Sequence, residues 1–181
     1  RIQTIIKEQS KTVQEQILRE EIEKAQARVN QQAERLEELE AELSSLDSAL
    51  AGIAADLFKR RLEGGERLAQ RVCLQLADLG FPQAEFQVRL ETAERSAQGE
   101  DHVEFFLAPN PGEDLRPLRL VASSGEVSRV MLAIKVALAA QDRVPVLVFD
   151  EVDANIGGEV AVRVGEKLRE LAVTHQVLCI S

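Results

Sequence analysis

The sequence predicts an α/β domain carried on a long coiled-coil helix, and three stretches predict it. In the first, apolar residues recur strictly at steps of three and four, from Leu36 through Leu39, Leu43, Leu46, Leu50 and Ile53 to Leu57. That spacing is the seam of a left-handed coiled coil. The second is Val146-Leu147-Val148-Phe149-Asp150-Glu151, an apolar run led in by Pro145. It reads as a buried strand of a parallel sheet that ends in two adjacent carboxylates. The third is Ala122-Ser123-Ser124-Gly125-Glu126-Val127-Ser128-Arg129, a polar start that opens an apolar helix.

Residues 1–62 hold no proline and are rich in Glu, Gln, Lys, Arg, Ala and Leu. Extended backward, the heptad places Val29, Ala25, Ile22 and Leu18 in register, while Gln32 and Glu15 fall on the seam. The early part is therefore a weaker or stuttered coil. Sixty helical residues reach about 90 Å, too long to lie on a small domain, so the arm needs a partner helix. Gly64-Gly65 would ordinarily break a helix, at about 1 kcal/mol for each glycine. Leu68, Val72, Leu76 and Leu79 resume helical spacing at once. One helix is expected to end near Gly80-Phe81-Pro82, with a flexible point at the glycine pair where arm meets head.

The region 84–93 alternates and reads as a half-buried strand, followed by a turn over 96–101 and a second strand over 102–108. These two strands are expected to form a hairpin, and 110–114 a loop. In the next helix Val127, Val130, Met131, Ile134 and Leu138 share one face. Ser123 and Glu126 stand as in a capping box and set its start. After the acidic strand, a helix over 158–174 buries Val160, Val164, Leu168 and Leu171, and 176–180 is the final strand.

The chemistry concentrates at two places. A strand ending in Asp-Glu delivers charge to the carboxyl edge of the sheet, where α/β proteins bind ligands. One acid can hold a metal through water, and its neighbour can position or activate a water. This is the logic of the acidic strand in a nucleotide hydrolase. The capped helix start offers unpaired amides and the positive end of a dipole, and Gly125 lets a phosphate approach the backbone.

Composition narrows the rest. The chain has 181 residues, 22 basic and 31 acidic, for a net charge of −9. Six Phe with no Tyr or Trp exclude a base-stacking platform. Net acidity excludes a DNA grip formed by the whole surface and leaves a local patch or further parts of the protein. Cys73 and Cys179 stand far apart in apolar patterns and read as core residues of a reduced, cytoplasmic protein. His102 reads as a strand or surface residue and His175 as structural. No run of about 18 apolar residues suggests a membrane span.

Taken together, VASSGEVSR at 121–129 and DEVDANIGG at 150–158 resemble the ABC-type ATPase heads of the SMC-like family. FFLAPNPGEDLRPL at 105–118 is similar to it as well. The ending of DEVDANIGG points to the DNA-break-repair members, since SMC proper usually ends this loop in Leu-Asp. The resemblance implies the carboxyl-terminal lobe of a P-loop ATPase head, over 63–181, with a coiled-coil arm helix over 1–62. It further implies ATP and Mg²⁺ as cofactors, sandwiched between two heads, with Asp150 holding Mg²⁺ through water and Glu151 as the catalytic residue that orients or deprotonates the attacking water. Ser123, Ser124, Gly125 and Glu126 would line the γ-phosphate held by the opposite subunit. Asp153 and Asn155 would face the dimer interface.

The implied partners are the amino-terminal half of the same head, a second copy of the protein, the antiparallel strand of the arm, and DNA in the bacterial nucleoid. Two residues depart from the pattern. Ser124 stands where the first signature glycine is usual, which either lowers activity or is tolerated, and Gly157 stands where many ABC proteins have an aspartate. No G-x-x-x-x-G-K-[ST] phosphate loop occurs in the sequence, so this chain by itself should be inactive. Two alternatives stay open: a degenerate coiled-coil dimerisation protein without hydrolysis, and another SMC-type ATPase that organises chromosomes.

Overall fold

The computed structural model describes residues 2–121 and 123–180, with side chains described from Gln14 onward. Ala122 of the signature run lies outside the described residues. The chain divides into two compact units, Arg1–Ile53 and Ala54–Ser181. Helix α1, Ile2–Asp78, is unbroken and runs through the glycine pair.

In the first unit every residue from Gln14 on is exposed, including the whole apolar seam from Leu18 to Ile53. The heptad is thus an apolar stripe, interrupted at Gln32, with no partner among the described residues. Helix propensity supports such an element, but a coil of this pattern is stabilised by packing against another helix.

The second unit opens with the last turns of α1, where Val72, Leu76 and Leu79 are fully buried. Gly65 is buried too, and a Cβ there would stand 3.1 Å from Val88. Its lack of a side chain lets the neighbouring strand approach, which gives it a packing role. Strands β1, Glu85–Ser96, and β2, Gly99–Ala108, form the expected antiparallel hairpin, with Phe86 opposite Leu107 and Val88 opposite Phe105. Gly99 turns it at φ 114°. Arg61 of α1 holds that turn, donating to Asp101 at 2.6 Å and to the Gln98 carbonyl at 2.8 Å. A short β3, Arg116–Pro117, pairs with β2 and leads into a 3-10 turn over Leu118–Leu120.

Helix α2, Ser124–Leu138, is the centre of the core. The sequence marks one apolar face, but a wider arc is buried. Val130, Leu132 and Ala133 are inaccessible, whereas Met131 of the expected face is 36% exposed. Strand β4, Val146–Asp150, pairs in parallel with β5, Gln176–Ile180, and α3, Gly158–Leu171, connects them. Helix α2 packs on β4, α3 on β5, and the two helices touch.

The reading of β4 as a buried strand holds for only one of its faces among the described residues. Leu147 and Phe149 are buried, but Val146 and Val148 are exposed, beside exposed Leu178 and Ile180 on β5. Helices cover one side of this two-stranded sheet, and no described residue covers the other. The same openness corrects Cys179, which is exposed, while Cys73 packs partly buried against the core. His175 is buried beside the Thr174 hydroxyl and His102 is exposed on β2, as expected. Among the described residues no helix is long and apolar enough to cross a membrane.

The loop between α2 and β4 is pinned by Asp142, which accepts from Lys135 at 2.6 Å and from the Val144 amide at 3.0 Å. The Lys135 hydrogen bond, then the amide, hold its carboxyl below the ordinary range. A depressed folded-state value stabilises the fold above the ordinary carboxylate value of about 3.9, and the effect fades as pH falls through the folded value. Asp142→Asn is therefore expected to lower the unfolding midpoint at pH 7 and to flatten the loss of stability in acid. An equal deficit at every pH in thermal melts would contradict this.

Candidate functional site

Helix α2 begins against the turn that follows β4. Ser123 is the N-cap in extended conformation, and its hydroxyl accepts from the Glu126 amide at 3.4 Å. The next residue, Ser124, donates its hydroxyl to the Glu151 carboxylate. Gly125 is buried, and a Cβ there would stand 3.0 Å from the Ala154 Cβ and 3.2 Å from the Glu151 carbonyl oxygen. Glycine is needed at this position because the turn over 151–154 lies directly on the helix start. Glu126 lies in the first turn, where its charge complements the dipole.

The acids sit where the strand ends. Asp150 is the last residue of β4 and is exposed. Glu151 is exposed and adopts φ 55°, a left-handed backbone uncommon for a side chain of its size. Its amide donates to the Ile180 carbonyl at 3.0 Å, and its own carbonyl accepts from the Ala154 amide at 3.0 Å. Asp153 and Asn155 are exposed in the following loop, Asn155 also left-handed at φ 58°. Partial desolvation at the sheet edge, then the charges of Asp153 and Asp150, push the exposed Cys179 thiol up.

Two further residues assemble this corner, and the motif reading gives them no role. Ser128 donates to the Asp150 carbonyl at 2.6 Å, and Arg129 donates to the Ala154 carbonyl at 3.0 Å. Arg129 is buried with its guanidinium 5.3 Å from the Phe81 ring centre, and burial pushes its pKa down against the opposing field of Glu126. Gly125, Ser128 and Arg129 stand at i, i+3 and i+4, so one helical face carries all three. That spacing was the available signal. Below them an apolar cleft of about 200 Å³ opens between α2 and β4, lined by Val127, Met131, Leu147 and Phe149 among others.

No three His, Cys, Asp or Glu side chains among the described residues are placed to hold an ion between them. Magnesium at a nucleotide asks for less, namely one or two carboxylates with phosphate and water completing the shell. Asp150, exposed at the open end of its strand, fits that demand.

No protein-family model matches the chain. Among solved structures it is similar to the Smc head domain with a coiled coil and joint from Pyrococcus yayanosii. That match has TM-score 0.55 and 26% identity, over 80% of this chain and 27% of that one. Among curated proteins, the DNA repair protein RecN of Streptomyces coelicolor is 41% identical over 154 residues, 78% of this chain and 27% of that protein. RecN of Haemophilus influenzae is 43% identical over 130 residues, 71% of this chain and 23% of that protein. The chain thus spans about a quarter of the length of the relatives it matches.

A long arm helix running into a hairpin, a capped signature helix and an acid-tipped parallel strand define the carboxyl-terminal lobe of an SMC-like ATPase head. Within that class, the RecN matches across most of its length place the chain in the RecN family.

Proposed function

We propose that the chain supplies the carboxyl-terminal half of an ATP-hydrolysing head, over 63–181, and one arm helix, over 1–62, to a protein that acts in DNA double-strand break repair and recombination. The observation that carries this reading is the seating of the α2 start on the Glu151–Ala154 turn. It brings the capped, dipole-positive start of α2 and an acidic strand end into one corner.

In this reading two heads sandwich two ATP molecules. Asp150 would hold the nucleotide's Mg²⁺, and the ion would supply charge neutralisation at the phosphates. Glu151 orients or deprotonates the attacking water. Ser123, Ser124, Gly125 and Glu126, at the dipole-positive start of α2, face the γ-phosphate held by the opposite head. Asp153 and Asn155 lie at the head–head interface. Catalysis is then electrostatic positioning, with no covalent intermediate on the protein.

The exposed Val146, Val148, Leu178 and Ile180 give the amino-terminal half of the head an apolar surface to cover, and that half brings the phosphate loop. The exposed seam gives the antiparallel arm helix its docking stripe. Closure of the heads on ATP would change how heads and arms hold DNA in the bacterial nucleoid, within the cytoplasm.

One observation favours a second reading, a head that dimerises without hydrolysing: the Ser124 hydroxyl already occupies the Glu151 carboxylate. Adding the amino-terminal half to this chain and measuring phosphate release decides between them. ATP-dependent turnover with magnesium is expected. ATP-dependent dimerisation with no phosphate release would establish the second reading.

A further inference from the structure

We propose that Ser124 is a positioning residue that holds the Glu151 carboxylate against the start of α2 and lets it go only when a phosphate takes its place. The inference rests on the reading of Glu151 as the acid that acts on water. It begins with the Ser124 hydroxyl, which donates to Glu151 across 27 residues of sequence. The backbone of Glu151 is held on both sides, by the Ile180 carbonyl and by the Ala154 amide, each at 3.0 Å. Only the side chain is free to swing, and the serine sets where it points.

The helix start favours that arrangement in the absence of nucleotide. A carboxylate beside it meets the positive end of the dipole, as a phosphate would. The neighbouring Ser123 hydroxyl is already engaged with the Glu126 amide at 3.4 Å. Ser124 has one hydroxyl proton and so serves one acceptor at a time. A phosphate oxygen arriving at the start of α2 therefore competes with Glu151 for the same donor and displaces a like charge. The γ-phosphate at the start of α2 belongs to the opposite head's nucleotide, whereas Glu151 acts on the nucleotide of its own head. The exchange would tie hydrolysis in one site to occupancy of the other.

The test is steady-state ATP hydrolysis by the full-length protein carrying Ser124→Ala or Ser124→Thr. Ser124 does not have a positive φ, and alanine suits a helix start, so folding is not at issue. At ATP concentrations that leave the sites about half filled, Ser124→Ala is expected to hydrolyse about fivefold faster than the parent, equivalent to about 1 kcal/mol at 1.36 kcal/mol per tenfold, because Glu151 no longer waits for the opposite site. At saturating ATP, where phosphate has displaced Glu151 in the parent too, that gain should vanish, so the dependence of rate on ATP should lose cooperativity. Ser124→Thr, which keeps the hydroxyl, should bring the cooperativity back. A Ser124→Ala protein with no gain at low ATP and the parent's cooperativity would overturn the proposal. So would a Ser124→Thr protein that behaves as Ser124→Ala does, because bulk and not the proton donor would then matter. Glu151→Gln run alongside separates the two levels. If it turns over normally, the role of Glu151 is wrong. If it is slow while Ser124→Ala matches the parent, only the serine's role is wrong.

Discussion

Glu151→Gln in the full-length protein is expected to slow ATP hydrolysis about 10²- to 10⁴-fold, the range for loss of a positioned general base, while ATP affinity changes only a few-fold. The substitution is nearly isosteric. Its amide oxygen still accepts from Ser124, and the backbone bonds to Ile180 and Ala154 do not involve the side chain. The corner should therefore keep its shape and lose only the proton acceptor. On the proposed reading Asp150 is left to hold the ion, so nucleotide binding and head closure should survive, and the variant should accumulate in the ATP-bound state. Phosphate release together with equilibrium nucleotide binding checks both halves. Turnover at the parent rate would move the water-activating role to another residue.

Much of this fold was legible because its strongest signals are local. The heptad from Leu36 to Leu57 needs no tertiary knowledge to be read, and helix α1 follows it. The Ser123 cap and the run ending at Asp150 place α2 and β4 within a residue of their ends. What stayed hidden depends on neighbours. A single apolar stripe on α2 could not reveal that Leu132 is buried and Met131 exposed, because that is decided by the elements packed around the helix. An apolar run looks the same whether one face or two are covered, so the open side of β4 was not visible. Strand β3 is two residues long and contains Pro117, which leaves no periodicity to detect. The corner was half legible. Motif resemblance singled out Ser123, Ser124, Gly125, Glu126, Asp150 and Glu151, but the cross-links made by Ser124, Ser128 and Arg129 appear only when the turn after β4 is laid on the helix.

Two leucine truncations should separate the head's own stability from the arm's need for a partner. Leu132 is inaccessible at 0% exposure, inside the cluster that joins α2 to the end of α1 and to β4. Leu132→Ala removes buried methyl groups and leaves a cavity, so a loss of about 2–5 kcal/mol is expected. Leu43 is 63% exposed on the seam of α1. Leucine and alanine differ little in helix propensity, so Leu43→Ala should change the chain's own stability by no more than about 0.5 kcal/mol. Once the antiparallel arm helix is present, Leu43 becomes a knob in a coiled-coil hole, and the same truncation should loosen arm pairing measurably. Urea titration of the chain alone, and helix association by circular dichroism with the arm partner added, report the two effects. If Leu43→Ala leaves arm pairing unchanged, the seam is not the pairing surface, and the stripe from Leu36 to Leu57 requires another partner.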